Sequence, residues 1–457
     1  MPDPTADGAA PDPQQLLRSR SYARLLVLAA LMGLPVSGLA YGFLALADWL
    51  QDSLFTDLPR DLGFASAPVW WPLPLLTLSG LLAALAIRRL PGTGGHSPAD
   101  GFKAAGPVPP VELPGIFCAA LATLALGAVL GPEAPLILMG SGLGVLAVRL
   151  ASRDAPPRAA AVMAATGSFA AISSLLGSPL VGAFLLLEAS GLGGPTLLLV
   201  LVPGLLAAGL GTLIFLGLDS VTGLGTFSLA VPGLPPFDHL TVAMFGWALA
   251  LGALAPFLGR GVTWLAVAVR ARVEPRMVLL TPVLGLAIGA LAVGFAEATG
   301  KDASFVLFSG QSGLGPLVDH STEWSVGALL LLCACKSLAY ALSLSSFRGG
   351  PVFPAIFIGA AGGMLASHLP GLPLIPAVAM GIGAMCTVML TLPLTATLLA
   401  TLLLGADGVQ AMPVVIVAVV VAYVVTARLT PLPEASAAAE PDVAGPAPVG
   451  DRPRAAV

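Results

Sequence analysis

Gly131-Pro132-Glu133-Ala134-Pro135-Leu136-Ile137-Leu138-Met139-Gly140-Ser141-Gly142-Leu143-Gly144 has a counterpart in the second half of the chain, Gly350-Pro351-Val352-Phe353-Pro354-Ala355-Ile356-Phe357-Ile358-Gly359-Ala360-Ala361-Gly362-Gly363. The shared spacing is Gly-Pro-x-x-Pro-x-Ile-x-x-Gly-x-x-x-Gly. Proline is tolerated in the first turn of a helix, where its missing N–H would have had no partner. Small residues four apart let a helix pack closely on a neighbour. Each copy therefore predicts an irregular loop feeding a closely packed helix. Only the first copy carries an ionisable group, Glu133.

Around these copies the chain is lipid-soluble. Hydrophobic residues make up 57% of 457 and charged residues 10%, with a mean hydropathy of +0.94. A soluble domain could not hide that surplus, so a polytopic membrane protein is expected, all-α because helices satisfy their own backbone in lipid. Long apolar runs fall near Leu25–Leu50, Pro72–Ile87, Leu113–Leu130, Thr196–Leu218, Leu240–Leu258, Met277–Phe295, Val326–Leu344 and Met412–Ala427, and shorter ones near Ala159–Leu176, Pro179–Leu187, Ile375–Leu390 and Pro393–Leu404. The 54 Gly and 42 Pro, many inside apolar runs, predict broken and re-entrant helices, which survive at membrane depth only against protein or a cavity.

Arginines cluster at Arg18, Arg20 and Arg24; at Arg88 and Arg89; at Arg149, Arg153 and Arg158; and at Arg260, Arg270, Arg272 and Arg276. The positive-inside rule puts these borders and the N-terminus in the cytoplasm, at an inner (plasma) membrane. A net charge of −4 points to no nucleic-acid partner. Cys118, Cys333, Cys335 and Cys386 lie in apolar surroundings without metal-ligand spacing and are expected to be inert thiols. Residues 1–20 and 430–457 are Pro- and Ala-rich and read as disordered tails around a transmembrane domain at 21–429.

A second pair of landmarks makes the repeat an architecture. Ser178-Pro179-Leu180 and Leu392-Pro393-Leu394 each open an apolar helix, and each follows its motif copy in the same order along the chain. Two repeats, about 70–218 and 240–428, follow. Inverted topology is favoured, and a parallel duplication stays open. Repeat transporters place their site where discontinuous helices from the two halves meet. A helix N-terminus offers orphan N–H groups and about half a positive charge, so it attracts an anion without the tight grip of a full cation. Lys336 is the conspicuous cation inside an apolar run; it reads either as a packing and backbone-pairing residue or as a pore charge.

At this point the residues resemble a family. Val129-Leu130-Gly131-Pro132-Glu133-Ala134-Pro135 is similar to the Gly-Lys/Arg-Glu-Gly-Pro signature of the CLC chloride channels and proton-coupled chloride transporters, and Leu344 to Pro354 resembles that family's later Gly-x-Phe-x-Pro region. With the flanking Pro179 and Pro393 helices, the likeness covers residues 25–428. It implies an inverted-repeat homodimer, each subunit with its own anion pathway. The gating glutamate corresponds to Glu133, whose carboxylate occupies an anion position and swings away when protonated or displaced. A simple capping acid is the blander alternative. Anion-facing positions implied are Gly95, Ser97, Gly131, Ala134, Val352 and Phe353.

The chain also departs from the family. The first anion loop usually reads Gly-Ser-Gly-Ile-Pro; here it is Gly94-Gly95-His96-Ser97-Pro98, so the hydroxyl position aligns with Gly95 and Ser97 sits two residues later. Ser97 is either a substitute ligand or a turn serine, and Thr93 is a weaker candidate. Pro351 has no N–H, which leaves the amides of Val352 and Phe353 as donors. Arg348 either adds positive potential at a mouth or is a border arginine. The family's last helix, with its tyrosine, has no counterpart, and Tyr423 does not align with that residue. The proton-relay position falls on Ala189, so Glu188 relays through water or is an interface charge; channel and exchanger both stay open.

There is no His-Glu-x-x-His, no phosphate-binding loop and no histidine base beside Ser141, so an enzyme or an ATP-driven motor is not expected, nor a metal or cofactor. The expected activity is transport of small inorganic anions, chloride first, with protons as a second cargo. The rival is a proton- or cation-coupled transporter of fluoride, another anion or an unrelated solute.

Overall fold

A computed structural model describes residues 18–103, 106–152, 156–190, 194–222, 237 and 239–430. Apart from residues 18–20 and Thr430, the expected disordered tails lie outside the described residues. The helices are α1 (Arg20–Asp52), α2 (Pro72–Arg89), α3 (Leu113–Leu124), α4 (Glu133–Ala151), α5 (Pro157–Leu176), α6 (Pro179–Ser190), α7 (Gly194–Thr222), α8 (Val242–Val273), α9 (Met277–Thr299), α10 (Gln311–Asp319), α11 (Val326–Ser346), α12 (Val352–Ala366), α13 (Leu374–Leu390), α14 (Pro393–Leu403) and α15 (Gly405–Leu429). No strand occurs among the described residues; the one isolated bridge joins Gly131 to Gly350.

Seven helical stretches among the described residues are long and apolar enough to cross a bilayer. Others are too short: the 11 residues of α14 rise only about 16 Å at 1.5 Å per residue, against about 30 Å of hydrocarbon. These are the broken and re-entrant helices that the Gly and Pro content predicts. Two expected runs need correction. Leu113–Leu130 is not one span: α3 ends at Leu124, and the chain then turns through Gly127 at φ +98. Ala159–Leu176 is part of a full 20-residue helix, because Pro157 opens it at a position where proline costs no bond.

The internal duplication extends to backbone geometry. Helices α4 and α12 begin at Glu133 and Val352, the same place in each motif copy. A Cβ at Gly140 would strike the carbonyl of Gly167 on α5, and one at Gly359 would strike that of Gly381 on α13, so both helix pairs approach through glycine. Helix α5 closes on Gly177 at φ 61 and α13 on Thr391 at φ 58, each followed by the Pro-led helix. The left-handed conformation is ordinary for Gly177. For Thr391 it costs about 1–2 kcal/mol, which the packing of α13 must offset. The two motif copies run antiparallel past one another at the Gly131–Gly350 bridge, as inverted repeats do.

Candidate functional site

The bridge is reciprocal. Gly131 N–H donates to Gly350 O at 2.8 Å and Gly350 N–H donates to Gly131 O at 2.6 Å. Neighbouring residues fix both loops: Val129 N–H donates to Ser343 Oγ at 3.0 Å, and Tyr340 Oη donates to the carbonyl of Pro351 at 2.9 Å. Pro132 and Pro351 stand just before the first helical residues, so neither proline removes a bond from its helix.

Glu133, the first residue of α4, is fully buried. The Val352 amide, at the start of α12, donates to its Oε1, while Oε2 has no partner among the described residues. A Cβ on Gly131 or on Gly350 would collide with this carboxyl, so the paired glycines form the slot that holds it. No ion pair reaches Glu133 among the described residues. The carboxylate therefore rests on the helix N-terminus of the opposite repeat, where the dipole and orphan amides favour negative charge.

Next to the slot in sequence, Ala134, Gly349 and Pro351 line a hollow of 30 Å³ together with residues including Ser97 and Leu138. It shares His96, Ser97 and Leu138 with an open vestibule of 610 Å³, which Gly95, Asp100, Arg270 and Arg348 also line. Ser97 Oγ is buried and has no hydrogen-bond partner among the described residues. Buried hydroxyls almost always have one, so an unengaged donor beside a cavity formed by a helix start fits a small anion. The other sequence candidates stand differently. Gly95, at φ +89, donates its N–H to Gly92 O at 2.8 Å, and the Gly131 N–H is engaged by Gly350. Ala134 is half-buried on the hollow; the Val352 amide faces Glu133, and Phe353 is buried. His96 is exposed in the vestibule.

Three charged candidates sit apart from the slot. Arg348 is buried; its Nε donates to Thr93 O at 3.1 Å and its Nη1 to Phe347 O at 3.2 Å. Lys336 is fully buried and donates to Leu307 O at 2.7 Å and Phe308 O at 3.2 Å, with its Nζ 4.4 Å from the centre of the Phe357 ring. Glu188, on α6, accepts from Leu394 N–H at 2.8 Å, Thr395 N–H at 2.7 Å and Thr395 Oγ1 at 2.6 Å, all at the start of α14. Glu133 and Glu188 of the first repeat thus each reach the N-terminus of a second-repeat helix.

Sequence reasoning missed Tyr340, Ser343, Asp100 and Arg270. A signal existed for Tyr340, one helical turn beyond Lys336 in an apolar run; the partners Asp100 and Arg270 lie 170 residues apart. Tyr423 is exposed on the last helix, away from the hollow. The four cysteines are free, with Cys335 and Cys386 buried, and no group of His, Cys, Asp or Glu among the described residues is placed to hold a metal ion.

Comparison with known proteins agrees with this geometry. The chain is 31% identical over 362 residues, 78% of its own length and 82% of the relative's, to YfeO of Escherichia coli, whose given name assigns it to ion transport. Its fold superposes on a slow cyanobacterial Cl-/H+ antiporter with a TM-score of 0.72 at 20% identity, covering 89% of this chain and 95% of that one. A CLC-type fluoride/proton antiporter gives 0.63 at 17% identity, covering 88% and 95%. A eukaryotic CLC transporter gives 0.69 at 16%, covering 90% and 72%. These likenesses establish the fold. The family described as voltage gated chloride channel matches residues 79–427, and with a match over most of its length the chain belongs to that family.

Proposed function

We propose that the chain carries small inorganic anions, chloride first, across the membrane through a pathway within each subunit, gated by Glu133. One observation carries this reading: an uncompensated carboxylate from one repeat sits on the helix-start amide of the other, in the place an anion would take. When Glu133 leaves, the amides of Val352 and Phe353 at the start of α12 and Ser97 Oγ, on the hollow that Ala134 and Pro351 also line, become the ligands. These are partial charges, strong enough to replace water and weak enough to release the ion. Arg348, one face of which lines the vestibule, raises the local anion concentration.

Protons are a second cargo in this proposal. Protonating Glu133 would remove the charge that holds it on Val352, so an anion and a proton would compete for one seat. The solved relatives named as Cl-/H+ and F-/H+ antiporters support that reading. Glu188 contributes as a cap on α14. Lys336 contributes as a buried tie between α11 and the segment at Leu307 and Phe308.

The working form is a homodimer of two-repeat subunits, about 70–218 and 240–428, in the inner membrane with the N-terminus cytoplasmic. The arginine-bordered vestibule then opens to the cytoplasm. The test is ion efflux from liposomes holding purified protein. Flux that follows chloride and ignores sodium is expected; flux that follows sodium and ignores the anion would overturn the proposal in favour of a cation-coupled carrier.

A further inference from the structure

The segment that presents Ser97 is packed through the buried Gly94, Pro98 and Ala99, but few hydrogen bonds reach it from outside. It is flanked by glycines at positive φ, Gly92, Gly94 and Gly95 before it and Gly101 after it, a conformation that glycine adopts without steric cost. Ser97 Oγ makes no hydrogen bond to any of the described residues. Two arginines from outside the segment do hold it. Arg348 Nε binds Thr93 O at one end, and Arg270 Nη1, from the last turn of α8, binds Asp100 Oδ1 at 2.5 Å at the other. Asp100 closes a single 3-10 turn, Pro98–Asp100, whose N-cap is Ser97, and Asp100 N–H donates to Ser97 O at 3.1 Å. A displacement of Asp100 therefore reaches Ser97 through one rigid turn. Glu274 lies 3.6 Å from Arg270 Nε and competes for the same guanidinium. Side-chain exposures of 29% for Arg270 and 45% for Asp100 make the pair weak and reversible.

From this arrangement we infer that Asp100 and Arg270 form an electrostatic latch on the vestibule, a positioning pair that holds the Ser97 turn against the anion hollow and so sets apparent anion affinity. The inference rests on the transport reading above and adds to it a tie between α8 and the segment that carries Ser97. It also makes a distinction that plain electrostatics does not. If the two charges acted only through the potential they place in the vestibule, removing Asp100 would strengthen anion binding and removing Arg270 would weaken it. A latch needs both partners, so losing either one weakens binding.

The experiment measures chloride efflux against chloride concentration for the wild type, D100N, R270Q and the exchanged pair D100R/R270D, with hydrogen–deuterium exchange of residues 93–103 followed in the same preparations. Both single variants are expected to raise the half-saturating chloride concentration by about two- to fivefold, the range for a partly exposed ion pair, with a smaller change in maximal rate and faster exchange in the segment. The exchanged pair is expected to return both readouts to within about twofold of wild type. Opposite shifts in D100N and R270Q, unchanged half-saturation in both, or no recovery in the exchanged pair would overturn the latch. Exchange rates judge the latch independently of flux: unchanged rates in folded single variants overturn it. A wild-type protein that moves no chloride would instead overturn the transport reading.

Discussion

The carboxyl group of Glu133 sits on the backbone amide of Val352, its own counterpart in the second copy of the motif. The first residue of one helix thus occupies the N-terminal site of the helix that repeats it. Only one copy carries an acid, and the helix start of the other copy holds it.

Glu133→Ala should empty that seat. Chloride efflux is then expected to become uniform across acid and neutral buffers, whereas wild-type efflux changes several-fold with pH, and Glu133→Gln should follow the alanine variant. Efflux of both variants that tracks pH as in the wild type would reduce Glu133 to a capping residue.

Gly350→Ala tests the slot rather than the acid. The added Cβ collides with the Glu133 carboxyl, and the backbone at 350 needs no left-handed conformation. Efflux approaching that of Glu133→Ala is expected, with the protein still folded by size-exclusion chromatography. A Gly350→Ala protein that gates like wild type would show that the carboxyl does not need the glycine floor.

Tyr340→Phe removes the hydroxyl bonded to the Pro351 carbonyl and leaves that carbonyl with only the longer bond from Ala355 N–H, at 3.4 Å. Losing one buried hydrogen bond costs about 0.5–1.5 kcal/mol, so thermal unfolding in detergent should shift downward. An unchanged midpoint would show that the loop before α12 is held by the bridge to Gly131 alone.

Glu188→Ala separates cap from relay. Three donors at the start of α14 lose their acceptor, and stability should fall by about 1–2 kcal/mol, the range for a lost N-cap. Any proton movement coupled to chloride should persist with unchanged stoichiometry. Loss of proton movement with intact chloride flux would give Glu188 the relay role.

The sequence made the repeat legible because proline and glycine act locally: Gly131-Pro132 and Gly350-Pro351 can be matched without knowing what either touches. The gating candidate was legible because Glu133 is the only acid in either copy. Hydropathy could not mark the end of α3, since Ala125 to Leu130 are as buried and apolar as the helix before them; only the φ of Gly127 distinguishes the two. Nor could spacing decide between Gly95 and Ser97. That choice turns on which polar atom is already engaged, and the Gly95 amide is engaged within its own turn. Asp100 with Arg270, and Glu188 with Leu394, are long-range meetings of side chains that carry no local signal.

Because the loops at Gly131 and Gly350 satisfy each other's backbone groups, each half of the chain supplies part of the other's fold. A fragment ending between α7 and α8 would leave the N–H and C=O of Gly131 without acceptor or donor in a lipid-surrounded interior. Glu133 would also have no facing amide. Expressed alone, either half should fail to mature, whereas two separately synthesised halves brought together in one bilayer could complete each other.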